Sequence, residues 1–167
     1  MNNYNEFQAK PYFEYLLKEY LYPLFQEKGY KKKGTYHWIR LNGEIQIDIK
    51  LKKSVYNTKR RINFSLCIGL SDMEGNLSFY GWQNDEFLPQ ARVAYKRENH
   101  HWNGWYLIFR ANEFDKLLND ELKIDLEDYI FPLLKKINSK EILSHIVSKG
   151  KEKNGNLWYI PDEIKFE

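Results

Sequence analysis

The chain has 167 residues, of which 43% are hydrophobic and 29% charged, with a net charge of +3 at pH 7. This length fits one domain, residues 1–167, and the apolar fraction excludes a disordered chain. The charge is uneven: residues 1–70 hold 13 Lys and Arg against 6 Asp and Glu, and residues 71–167 hold 13 against 17. A basic half can attract an acidic partner or nucleic acid, although most such charge is solvated surface.

Compartment and membrane association follow from what the sequence lacks. Cys67 is the single cysteine, so no disulfide within the chain is expected. The first ten residues do not combine a basic run with an apolar core, and no apolar run approaches the length that crosses a bilayer. We therefore expect a cytoplasmic protein that does not bind membranes.

Residues 5–28 predict an N-terminal helix. Apolar side chains at spacings of three and four form one stripe: Phe13, Leu16, Leu17, Tyr20, Leu24 and Phe25. Pro23 is expected to kink this helix near its end, and Gly29 is suited to terminate it.

Three strands are predicted from residues 35–41, 45–51 and 62–70. Asn42 and Gly43 form a strong hairpin signal between the first two. The second and third strands alternate strictly between apolar and polar side chains, which indicates a sheet with one apolar and one polar face. A sheet of this kind is typically antiparallel, with helices on its apolar side.

The remainder of the chain shifts from strand to helix patterns. Residues 77–82 predict an edge strand, 91–95 a short strand within the poorly patterned stretch 83–104, and 105–110 a buried strand. Helices are predicted over the range 112–149. Their expected features are a cap at Asn112, a kink at Pro132, a cap at Ser139 and an end at Gly150. In the tail, residues 150–167, the segment 157–161 is expected to add an edge strand or to pack across the core.

Together these elements predict an α+β fold. We expect one mainly antiparallel sheet of about five strands, over residues 35–110. One N-terminal helix and two or three C-terminal helices should pack on one of its faces.

Several short segments of the chain form a combined pattern. They are GYKKKG at 29–34, Trp38 with Arg40, Lys53-Ser54, INFSLCIGL at 62–70, Arg92 with Trp105-Tyr106, and DYIFPLLKKI at 128–137. Together, over about residues 5–148, they resemble a bacterial family known as domain of unknown function 4304. Because that family has no established activity, the resemblance implies a fold and no function.

Common catalytic and ligand motifs are missing from the sequence. The four histidines have no carboxylate or cysteine at metal-ligand spacing, so no metal site is expected. Cys67 lies within a strand among apolar residues, where a cysteine usually acts as a small hydrophobic group. The glycines around Lys31–Lys33 lead from a helix to a strand, the reverse of a phosphate-binding loop, and no cofactor is expected.

The best candidate surface combines the polar sheet face with the basic loop at residues 52–61. Aromatic rings, cations and amides are typical of surfaces that bind macromolecules. The candidate binding residues are Trp38, Arg40, Gln46, Asp48, Lys50, Lys53, Tyr56, Arg60, Asn63 and Ser65.

We therefore expect a non-enzymatic binding protein, specifically an immunity-type protein that binds and inhibits a bacterial toxin. One alternative is a binder of single-stranded nucleic acid, using the basic loop with rings such as Tyr36, or of an anionic ligand, for which Lys31–Lys33 are candidates. Another is a hydrolase or transferase in which Asp48 acts with Lys50 or His37. The sequence alone leaves these three readings open.

Overall fold

The computed structural model describes most of the chain, including all of residues 6–82. The other described residues are 87–89, 92–93, 95, 105–153 and 160–165. The predictions for residues 1–5, 83–86, 90–91, 94, 96–104, 154–159 and 166–167 lie outside the described part.

The N-terminal helix, α1, begins four residues later than predicted. It runs without interruption through the segments Ala9–Tyr15, Leu16–Leu21 and Tyr22–Glu27, and its middle segment has π-helical hydrogen bonds. This wider turn directly precedes Pro23, whose missing N–H and ring disturb regular helical bonding. Gly29 ends the helix as predicted: it has φ +82°, and the Tyr30 N–H donates to the Phe25 carbonyl at 2.8 Å.

In the part of the chain that the structure describes, six strands form one antiparallel sheet, which confirms the predicted fold class. They are β1 (Lys31–Gly34), β2 (His37–Asn42), β3 (Ile45–Lys53), β4 (Ile62–Asp72), β5 (Ser78–Trp82) and β6 (Tyr106–Ile108). The order is β1-β2-β3-β4-β5, and β6 pairs with the start of β4. The long central strands β3 and β4 pair along their lengths, with Asp48 opposite Gly69 and Lys50 opposite Cys67.

Two strand predictions are wrong in detail. The strand predicted at 35–41 begins at His37, and β1 before it was not predicted. All four β1 residues are exposed, so β1 has no apolar alternation by which it could be recognised. The segment 91–95 was predicted as a strand, but its described residues Arg92, Val93 and Tyr95 are helical.

Among the residues described after β6, three further helices are present. Helix α2 comprises Ala111–Lys116, Leu117–Leu122, Asp125–Ile130 and Phe131–Lys136 in one run, and again a π-helical turn precedes its proline. The predicted Asn112 cap is wrong, because the helix begins at Ala111 and no side chain caps it. Helix α3 is Lys140–Glu152 and is capped by Ser139 as predicted, although it continues past Gly150. A short helix α4, Asp162–Lys165, follows buried Ile160 in the tail.

The helices cover the apolar face of the sheet. Phe13 of α1 packs against Phe64 of β4, with ring centroids 5.6 Å apart, and Phe25 packs against Trp38 of β2 at 4.5 Å. Helix α3 contacts β4 and β5. The apolar side chains of β3 and β4 join these helices in one buried cluster, which leaves the opposite sheet face for polar residues. No helix in the described part of the chain is both long and apolar enough to cross a bilayer.

The β2–β3 hairpin is docked onto the junction between α2 and α3. Its two-residue loop is Gly43-Glu44, one position later than predicted, because Asn42 pairs with Ile45. The Asn42 amide instead donates to the carbonyls of Leu134 and Ile137, both at 2.9 Å. Glu44 accepts a hydrogen bond from the Lys140 N–H at 3.0 Å, at the start of α3. The turn thus provides hydrogen-bond partners for backbone carbonyls at the end of α2 and for a backbone N–H at the start of α3.

Candidate functional site

The polar sheet face carries an ordered row of side chains across β2 and β3. Asp48 Oδ1 lies 2.5 Å from His37 Nε2, and Asp48 Oδ2 accepts a hydrogen bond from the Gln46 amide at 2.8 Å. Lys50, the next outward residue of β3, is exposed. Asp48 is therefore held by two neighbours in a fixed orientation on an accessible face.

Chemically, this row could orient a histidine for proton transfer, because a carboxylate that contacts one ring nitrogen fixes the imidazole. Both Asp48 oxygens are used by His37 and Gln46, so Asp48 is placed to position a neighbour. The Asp48 hydrolase or transferase therefore stays a prediction.

The centre of the polar face is covered, contrary to expectation. Ser65 and Cys67 of β4 are fully buried. Tyr80 pairs with Gly69 in the neighbouring strand, and Lys52 Nζ lies 5.6 Å from the centroid of its ring. Ser65 was predicted as a surface contact; this is wrong, because its side chain is inaccessible.

Burial also decides the chemistry of Cys67. Burial raises the pKa of the Cys67 thiol, and burial together with the hydrogen bond to Cys67 raises the pKa of Tyr80 to about 12. A thiol with a raised pKa is a weak nucleophile at neutral pH. Cys67 thus serves as a packing group on this face.

Three candidate residues lie on the helix-covered side of the sheet: Trp38, Arg40 and Lys53, whose ammonium lies over the Phe13 ring. Trp38 is 2% exposed and packs under α1, so it is unable to stack on a base or a partner side chain. Arg40 shares that side, where its guanidinium donates to the Lys28 carbonyl at 2.8 Å. Because strand residues alternate faces, all three point away from Asp48 and Lys50.

The basic loop between β3 and β4 presents an apolar tip. Val55 and Tyr56 form its turn and are 89% and 84% exposed, the two highest values among the large hydrophobic residues described. The nearby cations are Lys52, Lys53, Lys59, Arg60 and Arg61. Arg60 forms an ion pair with Glu6, with both side chains largely exposed.

Hydrogen bonds at the base of the loop fix its conformation. The Ser54 N–H donates to the Asn63 carbonyl at 2.9 Å, and the Asn57 side chain both accepts from the Asn63 N–H at 2.7 Å and donates to its carbonyl at 3.0 Å. Thr58 and Arg61 form an additional bridge. Asn63 thus holds the loop through its backbone, and the apolar tip is exposed on a defined support.

A buried polar cluster was missed by the sequence reading. Fully buried Asp125 accepts one hydrogen bond from Arg92 Nε and one from the Tyr106 hydroxyl, both at 2.7 Å. Arg92 also donates to the Asp120 carbonyl at 2.6 Å. The sequence does contain one indication of this cluster. Asp125 lies three residues after Leu122, so a charged residue occupies a position within the apolar stripe of α2.

This cluster makes stability depend on pH at the alkaline end. Burial, followed by the charge of Asp125, raises the pKa of Tyr106 well above its usual value. An unfolded tyrosine loses its proton near pH 10, so above that pH the unfolded state loses a proton that the folded state retains. The contribution of Tyr106 to the free energy of unfolding is therefore fully present below about pH 10, and it is lost as the pH rises further.

We expect the stability difference between the wild type and Tyr106→Phe to fall above pH 10 by up to about 1.4 kcal/mol per pH unit. Urea denaturation of both proteins from about pH 8 to 11 would measure this difference, and other titrating groups cancel in the comparison. A difference that stays constant or grows across this range would contradict the assignment.

Within the described residues, no three His, Cys, Asp or Glu side chains come together in a way that could hold a metal ion. The accessible candidate groups are therefore the His37–Asp48–Gln46 row, Lys50 and the basic loop. Comparison with family models, with curated proteins and with solved structures found no match to this chain.

Proposed function

We propose that this protein binds a partner protein without catalysing a reaction, and that its contact surface is the basic loop with the adjoining polar row on β2 and β3. The observation that carries the proposal is the exposed Val55-Tyr56 tip on its hydrogen-bonded support. Exposing two large apolar side chains is unfavourable in water, and a partner that covers them would relieve that cost.

The chemistry of the loop supports a protein partner. Tyrosine and arginine are enriched where binding energy concentrates, while lysines suit the solvated rim of an interface. Tyr56 with Arg60 and Arg61, surrounded by lysines, has this composition. The positive charge favours an acidic surface on the partner. Because the loop is already fixed, little conformational freedom is lost on binding.

The specific form we propose is an immunity-type protein that inhibits a bacterial toxin. The partner to test is the protein encoded immediately upstream. Co-expression should protect cells from that protein, and the two should purify as one complex. Failure to protect, together with the absence of a complex, would overturn the proposal.

The contribution of Tyr56 gives the sharpest mutational test. We expect Tyr56→Ala to weaken binding of the upstream product about 30-fold or more, because a central tyrosine typically contributes at least about 2 kcal/mol. Isothermal titration calorimetry would measure the dissociation constants. The matched control is Met73→Ala: Met73 is 60% exposed in a different turn and should leave the affinity unchanged. Equal affinities for Tyr56→Ala and the wild type would contradict the proposed contact.

The same protein also allows a test of the nucleic-acid alternative. Binding of a single-stranded oligonucleotide that weakens steeply with salt, together with no binding of the upstream product, would favour that alternative over a protein partner. Under our proposal the oligonucleotide should not compete with the upstream product.

A further inference from the structure

A cleft of about 600 Å³ lies between the first turns of α1 and the basic loop, and Ser54 and Asn57 on either side of the Val55-Tyr56 tip belong to its lining. This volume lies within the range of sites that hold small molecules. Helix α1 contributes Phe13 and Leu17 to an apolar floor, at the spacing of one helical turn, and the loop contributes Lys53 and Lys59 to the basic part of the lining. The cleft is therefore bounded by two different elements and has a mixed apolar and basic lining.

The floor of the cleft is apolar and aromatic. Phe13 and Tyr36 contact each other with ring centroids 6.1 Å apart, and Ile62 lies beside them. Lys53 Nζ lies 5.1 Å from the Tyr36 centroid and 5.7 Å from that of Phe13. These cation–π contacts hold the Lys53 ammonium at the edge of the apolar floor.

The cleft has an excess of positive charge. Its ionisable lining residues are Lys10, Lys53 and Lys59 against a single carboxylate, Glu14. Glu14 lies 3.8 Å from Lys10. No carboxylate in the described part of the chain lies within ion-pair distance of Lys53 or Lys59. About two positive charges are thus available, which matches the charge of −1.5 to −2 on a phosphate monoester at neutral pH.

Helix α1 and the basic loop are tied together. The Ala9 N–H at the start of α1 donates to the Lys59 carbonyl at 2.9 Å, and Asn57 fixes the loop on β4 through its hydrogen bonds to Asn63. The backbone of Lys59 is therefore fixed relative to α1, and the cation–π contacts place the Lys53 ammonium beside Phe13. A ligand would enter a site that is already assembled.

We propose that this cleft binds a small phosphate monoester with a flat aromatic body, in the size class of a nucleoside monophosphate. The phosphate contacts the ammonium groups of Lys53 and Lys59. The aromatic body packs against the floor formed by Phe13, Leu17 and Ile62.

Adenosine monophosphate is the probe, titrated into the full chain by isothermal calorimetry, with adenosine and inorganic phosphate as separate ligands. We expect adenosine monophosphate to bind with a dissociation constant below about 1 mM, and each fragment to bind at least about tenfold more weakly. Raising the salt concentration should weaken the binding. Failure to saturate in this range, or equal binding of adenosine or phosphate alone, would overturn the proposal.

Variants of exposed lysines locate the site without disturbing the core. Lys53→Ala and Lys59→Ala should each weaken binding of adenosine monophosphate about tenfold, because each removes a charge-assisted contact. The matched control is Lys18→Ala, an exposed lysine of α1 outside the cleft lining, which should leave the affinity unchanged. An effect of Lys18→Ala equal to that of Lys53→Ala would overturn the location. No partner protein is needed, so this result is independent of the interface at Tyr56.

Discussion

Replacing Asp125 by Asn should lower the free energy of unfolding by about 3 kcal/mol, because it leaves the Arg92 guanidinium without its charged partner in a largely buried site. Asp125 is fully buried and the Arg92 side chain is 15% exposed, so water compensates little. Asparagine has nearly the same shape as aspartate, so the change removes the charge without opening a cavity. Urea denaturation followed by circular dichroism would measure the loss.

The control for Asp125 lies on the same helix. Asp120 is exposed and contacts Arg92 only through its backbone carbonyl. Asp120→Asn therefore removes the same charge from α2 and should change stability by no more than about 0.5 kcal/mol. Equal effects of the two substitutions would show that the Arg92–Asp125 contact does not stabilise the fold.

Replacing Gly43 by Ala should cost about 3 to 4 kcal/mol. Gly43 has φ +59°, a conformation that costs an alanine about 1 to 2 kcal/mol. A Cβ at this position would also meet the Asn138 carbonyl oxygen, at 2.1 Å from it, so the hairpin and the α2–α3 junction would have to separate. That movement disturbs the hydrogen bonds of Asn42 and Glu44 to both helices. Thermal and urea denaturation would measure the loss.

Gly75 provides the matched comparison for Gly43. It has φ +75°, but a Cβ there would meet nothing within 4 Å. Gly75→Ala should therefore cost only the conformational term, about 1 to 2 kcal/mol. The difference between the stability losses of Gly43→Ala and Gly75→Ala measures how much the contact between the hairpin and the helices stabilises the fold. Equal losses in the two variants would mean that this contact does not stabilise the fold.

Sequence patterns predicted those parts of the fold in which apolar side chains are buried and polar side chains are exposed. Strand β3 alternates because only one of its faces is buried, and Ser139 caps α3 through a local hydrogen bond. Strand β1 was not predicted because all of its residues are exposed. The hairpin loop was displaced by one residue because Asn42 is used by α2, more than ninety positions away. The turn preferences of neighbouring residues carry no information about a contact with residues so far away in the sequence.

The candidate site was predicted less completely, for a similar reason. Alternation placed Asp48 and Gln46 on the polar face, where they lie, and an exposed loop tip at Tyr56 is consistent with a polar, basic segment. Alternation alone does not state which residues of a polar face are covered by neighbours, so Ser65 was wrongly taken as accessible. The cleft at Lys53 depends on α1 approaching the loop, which is a tertiary contact.

Hydrogen–deuterium exchange on the complex with the upstream product tests the central proposal most directly. We predict slower exchange on binding in the basic loop, residues 52–61, and in the adjoining polar row of β2 and β3, with no change in helix α3. Protection confined to α3 and the helical side, with the loop exchanging as in the free protein, would contradict the proposed interface.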